Sequence, residues 1–182
     1  MEAVTHRGRR HFLKLAGIAV ASTIAAPAIA APRMPRRRAI AFHHLHTGEK
    51  VDLVYWADGR YQRGALEHIN WVLRDFRNDA VHPIDPRLLD LLAVMRGELR
   101  TAAPFMVISA YRSPATNAML AATTEGVATQ SLHLDGQAID IRVPDRHLAA
   151  VHKVAMGLRA GGVGYYPSSD FVHVDTGKVR YW

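Results

Sequence analysis

Two short runs in which a metal-binding side chain sits between aliphatic residues constrain this chain more than any other feature. In Ala138-Ile-Asp140-Ile-Arg142 an aspartate stands between isoleucines, and in Phe171-Val-His173-Val-Asp175 a histidine stands between valines. Such alternation puts the aliphatic groups on one face of a strand and the polar groups on the other. His133, between Leu132 and Leu134, lies just ahead of the first strand, and Gly136 permits a turn between them. If the two strands are neighbours, His133, Asp140 and His173 converge. Two imidazoles and a carboxylate form an N/O donor set that suits zinc with one coordination position open. The competing expectation is a pair of ordinary hydrogen-bonded histidines.

The rest of the chain reads as scaffold. Residues 39–46 and 50–56 are β-rich runs joined at Thr47-Gly48-Glu49, a hairpin, with Asp58-Gly59 as the next turn. Leu66, Ile69, Leu73 and Phe76 give a helix over about 63–77. Asp85 and Pro86 start a second, whose buried stripe is Leu88, Leu92, Met95 and Leu99. Residues 105–110 form a buried strand, Pro114 opens a short helix to Leu120, and 121–130 is a loop. Asp145 caps a third long helix ending near Gly161-Gly162, and 138–143, 163–166 and 171–175 are strands. A hairpin, then helices, then strands mixed with helices predicts an α+β fold, a small antiparallel sheet with flanking helices. His43, His44 and His46 cluster in the hairpin; His44 and His46 share a face but have no nearby carboxylate, so they are weaker metal ligands.

Charge argues against nucleic acid. The chain has 182 residues and a formal charge of +7. Arg7, Arg9, Arg10 and Lys14 against Glu2 supply three of these charges, and Arg33, Arg36, Arg37 and Arg38 the other four, so the body from Ala39 is neutral. Residues 1–30 read as an export signal: Arg9-Arg10-His-Phe-Leu-Lys14, an alanine-rich apolar run too short for a membrane span, then Ala28-Ile-Ala30 for cleavage. The paired arginines are similar to a twin-arginine signal, with Gly8 where that motif usually has Ser or Thr. Residues 31–38 read as a Pro/Arg linker, and residues 39–182 as one exported, periplasmic domain without an integral membrane segment. The chain has no cysteine, which excludes disulfides and thiolate zinc sites. Oligomeric state is not set by the sequence.

A hydrolytic site also needs a base and a group for developing negative charge. Asp170 and Asp175 compete for the first role. In a straight strand Asp175 shares the face of His173, whereas Asp170 reaches the site only if the chain turns at Ser168-Ser169-Asp170. Asp175 could instead orient a ligand histidine. Arg112, after the central strand, reads either as a surface ion-pair partner or as a cation at the pocket rim for carboxylate or oxyanion.

The pattern Ser131-x-His133-x-x-Gly136-x-Ala138-x-Asp140 followed by Asp170-x-x-His173 resembles the zinc D-alanyl-D-alanine metallopeptidases, related in fold to the hedgehog signalling domain. Leu45-His-Thr-Gly-Glu49, Ile108-Ser-Ala-Tyr-Arg-Ser-Pro-Ala-Thr-Asn117, Gly162-Val-Gly-Tyr-Tyr166 and Phe171-Val-His-Val-Asp-Thr-Gly177 resemble the bacterial branch containing murein endopeptidase K. The resemblance spans nearly all of 39–182. It implies zinc on His133, Asp140 and His173, Arg112 steadying the scissile carbonyl oxygen, and a carboxylate base at position 170. It implies a supporting or substrate-binding role for Ser131. Many relatives carry Glu where this chain has the shorter Asp170. The implied activity is hydrolysis of amide bonds in peptidoglycan peptides; the alternative is a zinc-bearing wall-binding domain without catalysis. Which wall bond is cut stays open between D-Ala–diaminopimelate, diaminopimelate–diaminopimelate and a terminal D-Ala.

Overall fold

The computed structural model describes residues 36–124 and 128–182; the stretch read as an export signal and most of that read as a linker lie outside them. Among the described residues the strands are β1 (Arg38–His44), β2 (Lys50–Ala57), β3 (Arg60–Tyr61), β4 (Phe105–Ser109), β5 (Ala138–Arg142), β6 (Gly162–Tyr166), β7 (Phe171–Asp175) and β8 (Arg180–Tyr181). The helices are α1 (Arg63–Val72), α2 (Pro86–Glu98), α3 (Pro114–Thr123) and α4 (Leu148–Leu158). The strands form one sheet in the order β3-β2-β1-β4-β5-β7-β6-β8. The α+β class stands, but the sheet is larger than the sequence suggested, and β1–β4 and β6–β8 pair in parallel.

Alternation in the last strands divides the sheet into a core face and a polar face. Ile139 and Ile141 of β5, Val172 and Val174 of β7 and Val163 of β6 are buried in one cluster with Val151 and Ala155 of α4. Burying each such side chain contributes roughly 1.5–3 kcal/mol. Asp140 and His173 alternate with these residues and face the other way. Because β5 and β7 are antiparallel in a register that sets Asp140 opposite His173, the two donors are direct cross-strand neighbours.

Several boundaries differ from the sequence expectation, each for a tertiary reason. The first helix stops at Val72 rather than running to residue 77. Asp75 instead bridges to Ala80 and sends its carboxylate into the loop after β4. Asp145 does not cap α4: both its oxygens accept from the Thr101 hydroxyl, and His147 occupies the cap position without a side-chain bond. Arg38, placed in the linker by composition, is the first residue of β1, buried, ion-paired with Asp90 and stacked over Trp56 at 4.0 Å. Asp85 caps α2 through the Arg87 amide as expected. Its Oδ2 also accepts from Thr176 and its backbone amide donates to Gly136, tying α2 to both donor-bearing stretches. No helix among the described residues is long and apolar enough to cross a membrane.

Candidate metal centre

His133 sits just ahead of β5, as expected, in a 3-10 turn over Leu132–Asp135. Gly136 closes that turn at φ +64°, and a methyl group on it would overlap the Pro83 carbonyl oxygen, so both conformation and space call for glycine. The turn and the loop after β4 hold each other. The His133 Nδ1–H donates to Ala110 O at 2.6 Å, and the Arg112 amide donates to His133 O at 3.1 Å. Asp75, 1 % exposed, accepts from both the amide and the hydroxyl of Ser113, and so clamps the residue next to Arg112. A bulge between Val107 and Ser109 brings Ser109 opposite Asp140, where its hydroxyl accepts from Arg112 Nε at 3.0 Å. Arg112 Nη2 donates to Asp140 Oδ2 at 2.8 Å.

The three donors meet. His133 Nε2 lies 3.3 Å from His173 Nδ1 and 3.3 Å from Asp140 Oδ1, and His173 Nδ1 lies 2.9 Å from Asp140 Oδ1. All three residues are buried. Tetrahedral zinc with bonds near 2.0–2.1 Å has ligand edges of roughly 3.3 Å, so the spacing fits. The chemistry of the donors fits as well. His133 spends its Nδ1–H on Ala110 O, which leaves a lone pair on Nε2. His173 Nε2–H donates to Asp175 Oδ2 at 3.1 Å, which leaves Nδ1 facing Asp140. Asp140 accepts only. Three electron-rich atoms about 3 Å apart require one positive centre between them, a proton on His173 or a metal cation.

The charge states agree. Burial opposes charge on Asp140, yet His133 and His173 hold its carboxyl far below the usual carboxylate range. Burial lowers the His133 pKa and keeps that ring neutral. Burial works against a charged His173 too, but the Asp140 and Asp175 carboxylates outweigh it and raise its pKa. A cation entering the trio therefore displaces a proton.

The remaining sequence candidates are placed as follows. Ser131 lines the cleft over the trio and accepts the His133 amide at 3.4 Å. Asp175 is fully buried: one oxygen takes the amides of Gly162 and Gly177, the other takes His173 and Arg180 Nη2. Burial opposes its charge, but His173 and the Gly162 and Gly177 amides bring its pKa down to about 2. Asp170 follows a turn at Pro167–Ser169, has φ +53°, and pairs with Arg142 Nη1 at 2.7 Å while 62 % exposed. It is not brought into contact with the trio. The cleft, about 520 Å³, is lined by Arg112 and Ser131 on one side and by Tyr166, Phe171, Arg180 and Trp182 on the other. Arg180 and Trp182 were missed by reading the sequence; alternate glycines at Gly162 and Gly164 inside a strand were the available signal. Asp75 was hidden inside the helical pattern of α1.

Among the described residues, His44 and His46 belong to no group that could hold a metal. His44 Nδ1 accepts the amides of His46 and Thr47, the ring meets Phe76 edge-on at 5.5 Å, and Nε2 has no partner among the described residues. Burial, with His46, Arg74 and His43 adding to it and Glu49 opposing, pushes the His44 pKa from 6.5 to about 4. The unfolded chain thus binds more protons between these values. Stability is full above pH 6.5 and falls as pH drops toward 4, by about 3 kcal/mol from this group. In urea unfolding at pH 7 and pH 4.5, His44→Asn, which keeps an acceptor but cannot titrate, is expected to lose less stability than the parent chain.

Residues 33–182 match the family model described as peptidoglycan L,D-endopeptidase MepK. The chain belongs to that family. It is 43 % identical over 176 residues to the peptidoglycan L,D-endopeptidase MepK of Escherichia coli K12, covering 96 % of both chains, and equally similar to that of Shigella flexneri. It is 37 % identical over 178 residues to the probable peptidoglycan L,D-endopeptidase MepK of Haemophilus influenzae, covering 97 % of this chain and 96 % of that one. Family membership makes this a metallopeptidase-type chain and does not favour a binding domain without catalysis.

Proposed function

We propose that the chain is an exported zinc-dependent peptidoglycan endopeptidase that hydrolyses an amide between an L-centre and a D-centre in the wall peptides. The observation that carries this is the His133–Asp140–His173 trio, spaced for one tetrahedral ion at the floor of a cleft with an arginine at its edge. His133 Nε2, His173 Nδ1 and Asp140 would hold the zinc. When bound, it would supply Lewis acidity toward the scissile carbonyl and acidify a water toward a pKa of ~7.

The chain's own residues do the rest. Ala110 O and Asp175 fix the two ring tautomers and orientations. Arg112 is anchored through Nε and Nη2, and its Nη1 has no partner among the described residues. That leaves a donor at the cleft for the oxygen that gains negative charge. Arg112→Lys keeps the charge and loses the fork, and is expected to lower kcat by about 10²–10³ with zinc content unchanged. Steady-state kinetics with metal analysis checks this.

Asp170 is the general base in this reading. Its support is position and availability. It lies at the turn ahead of His173, and its partner Arg142 is two residues beyond Asp140 on β5, hence on the same face. An exposed ion pair of this kind holds with about 0–1 kcal/mol, so the carboxylate is free to take a proton from water and deliver it to the leaving amine. Asp175 has both oxygens filled by four donors and is a poor proton acceptor. Export, by the basic and alanine-rich stretch before residue 30, puts the enzyme where its substrate is.

The test is mass spectrometry of muropeptides from purified sacculi after digestion, with and without chelator. Chelator-sensitive loss of diaminopimelate–diaminopimelate cross-links, with D-alanyl–diaminopimelate cross-links left intact, is the expected result. Unaltered muropeptides overturn the reading.

A further inference from the structure

The polar face of the sheet continues past His173 onto β6 and β8, and there it is built to admit two side chains. Alternation puts Gly162, Gly164 and Tyr166 of β6 on this face. Gly164 is paired with His173, and Gly162 with Arg180. A methyl group on Gly162 would come within 2.7 Å of Arg180 Nη1 and overlap Asp175; one on Gly164 would come within 2.7 Å of the Trp182 indole. The two glycines thus let Arg180 and Trp182 lie over the sheet toward the metal trio.

Both side chains are held there. The Trp182 backbone pairs with β6 through Val163 O and the Tyr165 amide. Its indole N–H donates to the Tyr166 hydroxyl at 2.7 Å, and the ring centre lies 5.2 Å from that of His173. Yet Trp182 is 48 % exposed, a large rigid apolar face in the cleft wall. Arg180 Nη2 donates to Asp175 Oδ2 at 2.8 Å, and Nη1 to Lys178 O at 3.2 Å and to Asp175 Oδ1 at 3.4 Å; Nε has no partner among the described residues, and the side chain is 45 % exposed. Of the charged side chains lining the cleft, Arg112 and Arg180 face Asp140 alone. With a divalent cation in the trio the cleft is an anion-attracting one.

We infer that Arg180 and Trp182 form a carboxylate subsite, in which Arg180 takes the free carboxylate of the residue donating the scissile amide nitrogen and Trp182 packs against that residue's hydrocarbon chain. This rests on the endopeptidase reading and deepens it. In a diaminopimelate cross-link the amine that leaves belongs to a centre carrying its own free carboxylate, which an ordinary internal peptide bond lacks. Arg112 and Arg180 then divide the work across the trio, one on the carbonyl side and one on the amine side. Arg180 is a specificity residue here, and its bond to Asp175 is separate from that task.

The experiment uses a matched pair of cross-linked muropeptides, one with the free carboxylate at that centre and one with it converted to carboxamide. The parent enzyme is expected to prefer the carboxylate by at least about tenfold in kcat/KM, mostly in KM, roughly the worth of one charge-assisted hydrogen bond. Arg180→Gln is expected to bring the ratio near one, and Arg180→Lys to restore part of it. Zinc content and kcat on the carboxamide report any damage transmitted through Asp175 and do not enter the ratio. As a readout without turnover, the metal-free parent chain is expected to bind meso-diaminopimelate more tightly than its diamide by calorimetry, and Arg180→Gln to lose the difference. A parent enzyme that cuts both substrates equally, or an Arg180→Gln enzyme with the parent ratio, overturns the subsite while leaving the endopeptidase reading intact. A parent enzyme that cuts neither overturns both.

Discussion

Replacing His133 or His173 with alanine is expected to abolish both zinc retention and muropeptide hydrolysis, and to erase the zinc-dependent part of thermal stability. The cause is the trio of His133, Asp140 and His173. Its three electron-rich atoms lie about 3 Å apart, so a cation that enters satisfies all of them at once. Binding to the folded state alone stabilises by about 4 kcal/mol at a metal concentration a thousand times Kd. In a chain of this size each kcal/mol moves Tm by about 2–4 °C. Chelation is therefore expected to lower the parent Tm by roughly 10 °C. The His133→Ala variant also leaves the buried Ala110 carbonyl without its partner, which costs stability by itself. For that reason the informative quantity is the difference in Tm with and without zinc, measured by calorimetry on both histidine variants. A parent-like difference in either variant contradicts the ligand set.

The second large effect separates two aspartates five residues apart. Asp170→Asn is expected to lower kcat by about 10²–10⁴, the usual worth of a general base, with zinc affinity unchanged. Asp175→Asn is expected to weaken zinc binding by about 10–100-fold, the usual cost of removing an orienting partner. The reason is local. Every group around the Asp175 carboxylate is a donor, namely the Gly162 and Gly177 amides, His173 and Arg180. An asparagine amide must turn its NH2 toward one of them, which frees His173 to rotate. Metal titration and single-turnover kinetics on the two variants read these effects separately. The opposite pattern, metal loss in Asp170→Asn and a pure kcat loss in Asp175→Asn, would exchange the roles.

What the sequence revealed of this site, and what it hid, has a physical pattern. Asp140 and His173 lie on strands, where a period of two residues tells which side chains share a face, so their meeting could be anticipated once β5 and β7 were taken as neighbours. Helix two was legible because Asp85 and Pro86 are local signals that act within one turn. Asp75 and Asp145 mislead for the converse reason. Their carboxylates are claimed by Ser113 and Thr101, partners 38 and 44 positions away, which no local pattern registers. Phe76 fits the helical stripe of α1, yet the helix ends four residues earlier because Asp75 is pulled toward Ser113. β8 is two residues long, too short for any periodicity, and the importance of Arg180 and Trp182 shows only once Gly162 and Gly164 are seen to make room for them. Similarly, β1 and β4 pair in parallel across some sixty intervening residues, and so the sheet was read as smaller and simpler than it is.

The most direct measurement is an anomalous difference map at the zinc edge from crystals of the protein grown with zinc. One strong peak within about 2.0–2.2 Å of His133 Nε2, His173 Nδ1 and an Asp140 oxygen, with Arg112 and Arg180 flanking it, is the predicted result. A map without density among these three side chains, or with the ion held elsewhere, contradicts the account.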